Sequence, residues 1–204
     1  MRPETTKFTV RPLNEDTWPA FAKLVEENGG IWGGCWCIAY HLDPTGPKGQ
    51  MKPYRDTKHR LMQEGHAHAA MVFEGENALG WCQFGAPHEL PNVRNRRNYE
   101  KDLDRLPDWR ITCFFVGKAH RHRGIANAAL AGALDLIAEL GGGLVEAYPE
   151  DVEGRKTSSS FLHGGTLKMF RDLGFDPLRP IGKNQWVVRR TVKAQRADIL
   201  QRRP

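Results

Sequence analysis

Phe114-Phe115-Val116-Gly117-Lys118-Ala119-His120-Arg121-His122-Arg123-Gly124-Ile125-Ala126 joins an apolar run to an alanine-rich one across a short basic turn. With a strand before the turn and a helix after it, the first-turn amides of the helix have no intrahelical partner and point into the turn. The helix dipole stands behind them, so the junction is a site for an anion. Arg121, His122 and Arg123 add positive charge, while Gly124 and Ala126 keep side chains out of a ligand's way. A pyrophosphate suits this description. The junction is not a Walker loop, because GxxxxGK followed by Ser or Thr is absent, and GxGxxG is absent too.

The elements that must position the junction can be read on both sides of it. Trp109 to Val116 is continuously apolar with β-branched and aromatic residues, the pattern of a buried central strand. Ala126, Ala129, Leu130, Ala133, Leu134, Ile137 and Leu140 recur at helical spacing as far as Gly141-Gly142-Gly143. Leu144 to Tyr148 and Gln185 to Val192 read as strands, and Leu167, Phe170 and Leu173 as a short helix closed by Gly174. Upstream, Phe8 to Leu13 is a short edge-type strand containing Pro12. Asn14-Glu15-Asp16 then opens a helix carrying Trp18, Phe21, Leu24 and Val25, ended by Asn28-Gly29-Gly30. Tyr54 to Glu64 is a second helix. Ala69 to Phe73 and Leu79 to Phe84 flank Glu74-Gly75-Glu76-Asn77 as a hairpin. Gly29 to Gly49 is a loop too apolar for a flexible linker. Pro87 to Asp108, polar and basic, is longer than most connections and is either a functional excursion or the place of a short helix. The expectation is one α/β (α+β) domain over residues 1–192, a central mixed sheet of about six to seven strands flanked by about four helices, with a basic tail at 193–204.

Composition narrows the function classes. The 204 residues carry a net charge of +6, but residues 189–204 hold Arg189, Arg190, Lys193, Arg196, Arg202 and Arg203 against Asp198, so +5 of the excess falls in that terminal stretch. A basic tail is more often solvated than a nucleic-acid footprint, and no nucleic-acid partner is expected. No apolar run approaches the roughly 20 residues of a membrane span, and Met1 to Thr6 has no apolar core of a signal peptide, so no membrane partner and a cytoplasmic address are expected. Cys35-Trp36-Cys37, Cys82 and Cys113 have no metal-site spacing, which predicts reduced thiols in or near the core and no metal.

Arg121-His122-Arg123-Gly124-Ile125-Ala126 resembles the motif of GNAT acyltransferases: a glutamine or arginine, two residues, a glycine, one residue, then glycine or alanine. Val116 stands five positions before the arginine, where the family often has valine. Phe170-Arg171-Asp172-Leu173-Gly174-Phe175 resembles the family's downstream helix ending. The order and spacing of these pieces cover residues 7 to 192, and Gly33 to Cys37 looks like the loop of a bacterial GNAT subset. The resemblance implies an enzyme that moves the acetyl group of acetyl-CoA to a primary amine, on a small molecule or a protein lysine, by direct attack. It implies a cofactor site of Phe115, Val116, Gly117, Arg121, His122, Arg123, Gly124, Ile125, Ala126 and Phe170, with backbone near Val116 polarising the thioester carbonyl. Two departures stand out: His122 occupies a position where glycine is common, and Phe170 one where many members place a proton-donating tyrosine.

An acceptor amine of pKa about 10.4 must lose a proton before it attacks. Glu146, an acid inside Leu144-Val145-Glu146-Ala147-Tyr148, is the expected base, with Asp108 as the alternative. Tyr148 is the expected acid, beside His163 and Ser158 to Ser160 as other candidates. Trp32, Trp36, Tyr40 and His41 are the expected acceptor pocket, since apolar aromatic loops build ligand walls. Each has a plainer reading: Glu146 on a solvated strand face, His163 on a loop surface, the aromatics folded onto the core. A CoA-binding regulatory module without turnover, favoured by Phe170, is the competing function; a nucleic-acid binder using the tail and Arg94, Arg96 and Arg97 is a weaker one. A homodimer is left open.

Overall fold

Ala69-Ala70-Met71-Val72-Phe73 has no polar side chain to offer solvent, so a strand made of it needs cover on both faces. The computed structural model, which describes residues 8–29, 34–43, 45–47 and 51–195, supplies that cover. Its elements run β1 (Thr9–Pro12), α1 (Trp18–Glu27), α2 (Tyr54–Gln63), β2 (His68–Glu74), β3 (Asn77–Gly85), α3 (Arg96–Lys101) and β4 (Trp109–Val116). Then come α4 (Ile125–Glu139), β5 (Gly143–Ala147), α5 (Leu167–Asp172), β6 (Asp176–Pro180) and β7 (Trp186–Val192). One seven-stranded sheet has the order β1-β2-β3-β4-β5-β7-β6, antiparallel except where β4 lies parallel to β5. The mixed-sheet expectation therefore holds.

Strand alternation sends Ala70 and Val72 to one face and Ala69, Met71 and Phe73 to the other. The first pair joins a cluster with Leu130, Ala133 and Ile137 of α4 and Phe170 of α5. The second set packs with Trp18, Phe21 and Val25 of α1 and with Trp36 and Ile38 of the aromatic loop. A third, small cluster of Val93, Tyr99, Tyr148, Ile181 and Val187 covers β7 and the end of β5. Asn14 and Thr17 set the start of α1 by exchanging bonds: Asn14 Oδ1 accepts from Thr17 N–H at 3.1 Å, and Thr17 Oγ1 from Asn14 N–H at 2.9 Å.

The described residues hold five α-helices and seven strands, one helix more than the number expected and within the expected number of strands. Helix α3 fills part of the Pro87 to Asp108 segment. Strand β6 contains Pro177 and Pro180, which argue against a strand in sequence; it is tolerated because it lies at the sheet edge.

The feature that positions the site is the parting of β4 from β5. Trp109, Arg110 and Ile111 pair with Val145, Glu146 and Ala147, and the pairing stops there. Tyr148-Pro149 then leads the chain away, and Pro149 has no N–H to continue a ladder. β4 runs on to Val116 beside β3 alone, so its other edge is open from Thr112 onward. The closed end is tied by Asp108, whose Oδ2 accepts from Leu144 N–H at 2.7 Å. Gly143 has φ 129° and a Cβ there would stand 2.7 Å from that same oxygen, which is why the chain needs glycine at this point. Asp108 is thereby committed to the strand junction.

Candidate active site

A groove of about 510 Å³ runs along the open edge of β4 to the start of α4. Phe114, Phe115, Val116, Arg121, His122, Gly124, Ile125 and Ala126 line it, with Leu162 and His163 opposite. α4 has Gly124 at its N-cap with no side-chain cap, so its first-turn amides are left to an external acceptor. Gly124 has φ 79° and nothing within 4 Å of where a Cβ would be, so the space there is free for a ligand. His122 has φ 62°. The turn requires a left-handed residue there; glycine adopts it freely, and histidine adopts it at a cost of about 1 kcal/mol.

Three expected cofactor residues do not line the groove. Gly117 donates its N–H to Leu79 O at 2.9 Å behind the turn. Arg123 bonds Glu74 Oε1 through Nη2 at 2.6 Å and pins the turn to β2. Phe170 is fully buried, edge-on to Phe114 and Phe175, so it supports the groove wall from within the core.

A chamber of about 490 Å³ adjoins the groove, lined by Cys35, Cys37, Ala39, Tyr40, Asn92, Arg94, Cys113 and His163. His163 borders both cavities, and its ring centroid lies 6.4 Å from that of Tyr40. Tyr40 is the one residue of the expected acceptor set that lines this chamber. Trp36 is buried against Trp18 and Phe21, His41 is buried beneath the wall, and Trp32 lies outside the described residues. Asn92 and Arg94 come from the long polar connection. Among the described residues, no group of three His, Cys, Asp or Glu could hold a metal ion.

The model of the acetyltransferase (GNAT) family matches residues 15–153. The chain belongs to this family. Its architecture is shared with a crystal structure titled histone acetyltransferase HPA2 and related acetyltransferase from Corynebacterium glutamicum, 14% identical, covering 94% of this chain and 99% of that one at a TM-score of 0.50. PaiA N-acetyltransferase from Thermoplasma acidophilum, solved with coenzyme A, is 10% identical over 91% of this chain and 99% of its own, TM-score 0.48. The ribosomal-protein-S18-alanine N-acetyltransferase from Escherichia coli is 10% identical over 95% and 99%, TM-score 0.47. Among curated proteins, none matches the sequence.

GNAT acetyltransferases use acetyl-CoA, and the groove fits it: a strand edge with free backbone groups, an uncapped helix start and a glycine with open space. Glu146 and Tyr148 of this acetyltransferase lie elsewhere, at the closed end of the β4–β5 junction, lining neither cavity. Glu146 is fully buried; Oε1 accepts from Tyr148 OH at 2.8 Å and Oε2 from Arg189 Nε at 2.7 Å. Burial, then the Glu146 charge, pushes the Tyr148 phenol well above its ordinary value, so it stays a donor. Arg189→Met would leave a buried carboxylate without the cation that hydrogen-bonds it. The expected loss is about 3 kcal/mol in urea unfolding, the low end for a broken buried pair because Arg110 remains as a second buried cation acting on Glu146. Glu146→Gln with Arg189→Met should recover most of it.

Under the chamber wall a buried polar chain crosses the core. His41 Nδ1–H donates to Glu89 O at 2.9 Å, leaving Nε2 to accept from Lys58 Nζ at 3.1 Å; Lys58 also donates to Gln83 Oε1 at 2.6 Å. Burial, then the Lys58 charge, holds His41 down at about 3, against 6.5 for the free side chain. The folded protein thus keeps His41 neutral while the unfolded chain takes up a proton below pH 6.5. The contribution is complete above 6.5 and is lost as pH falls toward 3, at up to about 1.4 kcal/mol per pH unit. His41→Gln, whose amide oxygen can accept from Lys58, should flatten unfolding free energy against pH across pH 6.5 to 4 by close to one proton.

Proposed function

We propose that this acetyltransferase transfers the acetyl group of acetyl-CoA to a primary amine, on a small molecule or a protein lysine, by direct attack of the amine on the thioester. The observation that carries the reading is that the groove and the chamber meet at His163. Acetyl-CoA bound in the groove supplies an acyl group on a thiolate leaving group. Arg121 and the first-turn amides of α4 meet its phosphate charge. The backbone N–H groups of β4 on its open edge are placed to polarise a carbonyl there. The amine enters the chamber past Tyr40, Asn92 and Arg94. His163, the residue that borders both groove and chamber, takes its proton. Glu146, Tyr148 and Arg189 hold β5 at the closed end and so fix the width of the opening.

The catalytic domain is taken as residues 1–192, supported by β7 ending at Val192, and residues 193–204 as a basic tail. The four cysteines are free thiols, which supports a cytoplasmic address. Phe170 favoured a module without turnover; as a core residue it favours neither reading. The test is free CoA released from acetyl-CoA by the full chain with a panel of primary amines. Release that depends on one amine class supports the reading. Binding of acetyl-CoA with no release by any amine or lysine peptide would leave the regulatory module.

A further inference from the structure

The chamber wall contains two thiols that acetyl transfer does not use. Cys37, beside Trp36, and Cys113, on β4, are both buried with their sulfurs 3.2 Å apart. One sulfur must accept from the other, and the surroundings select which. Lys58 is fully buried and its hydrogen bonds go to neutral groups, Gln83 Oε1 and His41 Nε2; among the described residues no carboxylate pairs with it. Trp81 Nε1 is buried and has no hydrogen-bond partner. A thiolate at Cys37 answers both, balancing the ammonium and accepting from the indole. In keeping with this, the Cys113 S–H, then Lys58 and Trp81, pull the Cys37 thiol below its ordinary value against the opposing effect of burial, while pairing with Cys37 drives Cys113 up. Trp36 and Cys37 hold left-handed backbone, φ 49° and 53°, an arrangement that non-glycine residues adopt only where the surroundings impose it.

We propose that Cys37 is an oxidant-reactive thiol with Cys113 as its resolving partner, so that a hydroperoxide converts this wall of the chamber to a Cys37–Cys113 disulfide. The Cys37 thiolate attacks the terminal oxygen of the hydroperoxide; the O–O bond breaks, the departing alkoxide or hydroxide takes a proton from solvent and leaves as an alcohol or water, and Cys37 becomes a sulfenic acid. The Cys113 sulfur then attacks the Cys37 sulfur, the S–S bond forms and the hydroxyl departs with the Cys113 proton as water. Two thiols are oxidised and one hydroperoxide is reduced. The sulfurs need close by only about 1 Å to reach the usual bond length of about 2.05 Å. Cys35 also lines the chamber, but burial raises its thiol; Cys82 sits in the cluster under α4 and is raised strongly. These two serve as internal references. The site stands on the thiol pair and its neighbours, whatever the acceptor proves to be.

The reduced full chain is treated with stoichiometric hydrogen peroxide, quenched with iodoacetamide and mapped by peptide mass spectrometry. The expected product links the Cys37 and Cys113 peptides with loss of two hydrogens, is reversed by dithiothreitol, and leaves Cys35 and Cys82 alkylated. Cys113→Ser should stop at a Cys37 sulfenic acid captured by dimedone. Lys58→Met, checked as folded by circular dichroism, should slow Cys37 oxidation at least tenfold at neutral pH. Should Lys58→Met not fold, the parent's disulfide map and the Cys113→Ser trapping still decide. Oxidation of Cys37 no faster than Cys35, pairing of Cys37 with Cys35, or a parental rate in folded Lys58→Met overturns the proposal.

Discussion

Gly124→Glu is expected to remove detectable acetyl-CoA binding while leaving a folded protein. The position has φ 79°, so any side chain costs about 1–2 kcal/mol of stability, well within what a domain of this size tolerates. Nothing lies within 4 Å of the added Cβ, so no clash forces unfolding. The effect comes from charge. A carboxylate about 4 Å from a bound phosphate repels it by about 4 kcal/mol in a partly screened surface site, which is roughly a thousandfold in affinity. Gly124→Ala bears the same backbone cost without the charge and should bind within several-fold of the parent. Calorimetric titration of both variants makes the check; a Gly124→Glu protein that binds like the parent would mean the phosphates lie elsewhere.

His163→Gln should lower turnover by roughly 10²- to 10⁴-fold, the range associated with losing a general base. Glutamine keeps polarity and approximate size, so acetyl-CoA affinity should stay within a few-fold even though His163 borders the groove. The deficit should shrink as pH rises toward the amine's own pKa of about 10.4, because more of the acceptor then arrives deprotonated. A residue that only positions the amine would show a similar deficit at every pH. Steady-state kcat and KM from pH 6.5 to 9.5 separate the two, and turnover within twofold of the parent at neutral pH would remove His163 from the chemistry.

The groove was legible in sequence because it is built from contiguous chain: a buried strand, a basic turn and a small-residue helix start are all visible between Phe114 and Ala126. Phe170 and Arg123 sit within or near matching motifs, yet motifs do not say which way a side chain turns, and neither lines the groove. The chamber was largely invisible. Cys37, Asn92, Cys113 and His163 come from four separated segments, and only the folded sheet brings them to one wall. Glu146 stands out in sequence as an acid within a strand; its partner Arg189, 43 residues later, reaches it only through the pairing of β5 with β7. Lys58 lies in the polar helix α2, and only tertiary structure buries it. Strand β6 was hidden by its prolines, whose penalty disappears at a sheet edge.

The parting of β4 and β5 also bears on how the molecule holds together. On the α4 side one hydrophobic cluster spans residues from both strands, but on the other side the clusters around Trp81 and around Tyr148 are separate. The sheet is thus two leaves sewn by three residue pairs and joined by one shared cluster on the α4 side. A ligand lying in the split acts as the missing rung between the leaves. Its arrival should slow amide hydrogen exchange along Thr112 to Val116 and extend that protection to β5 and β7.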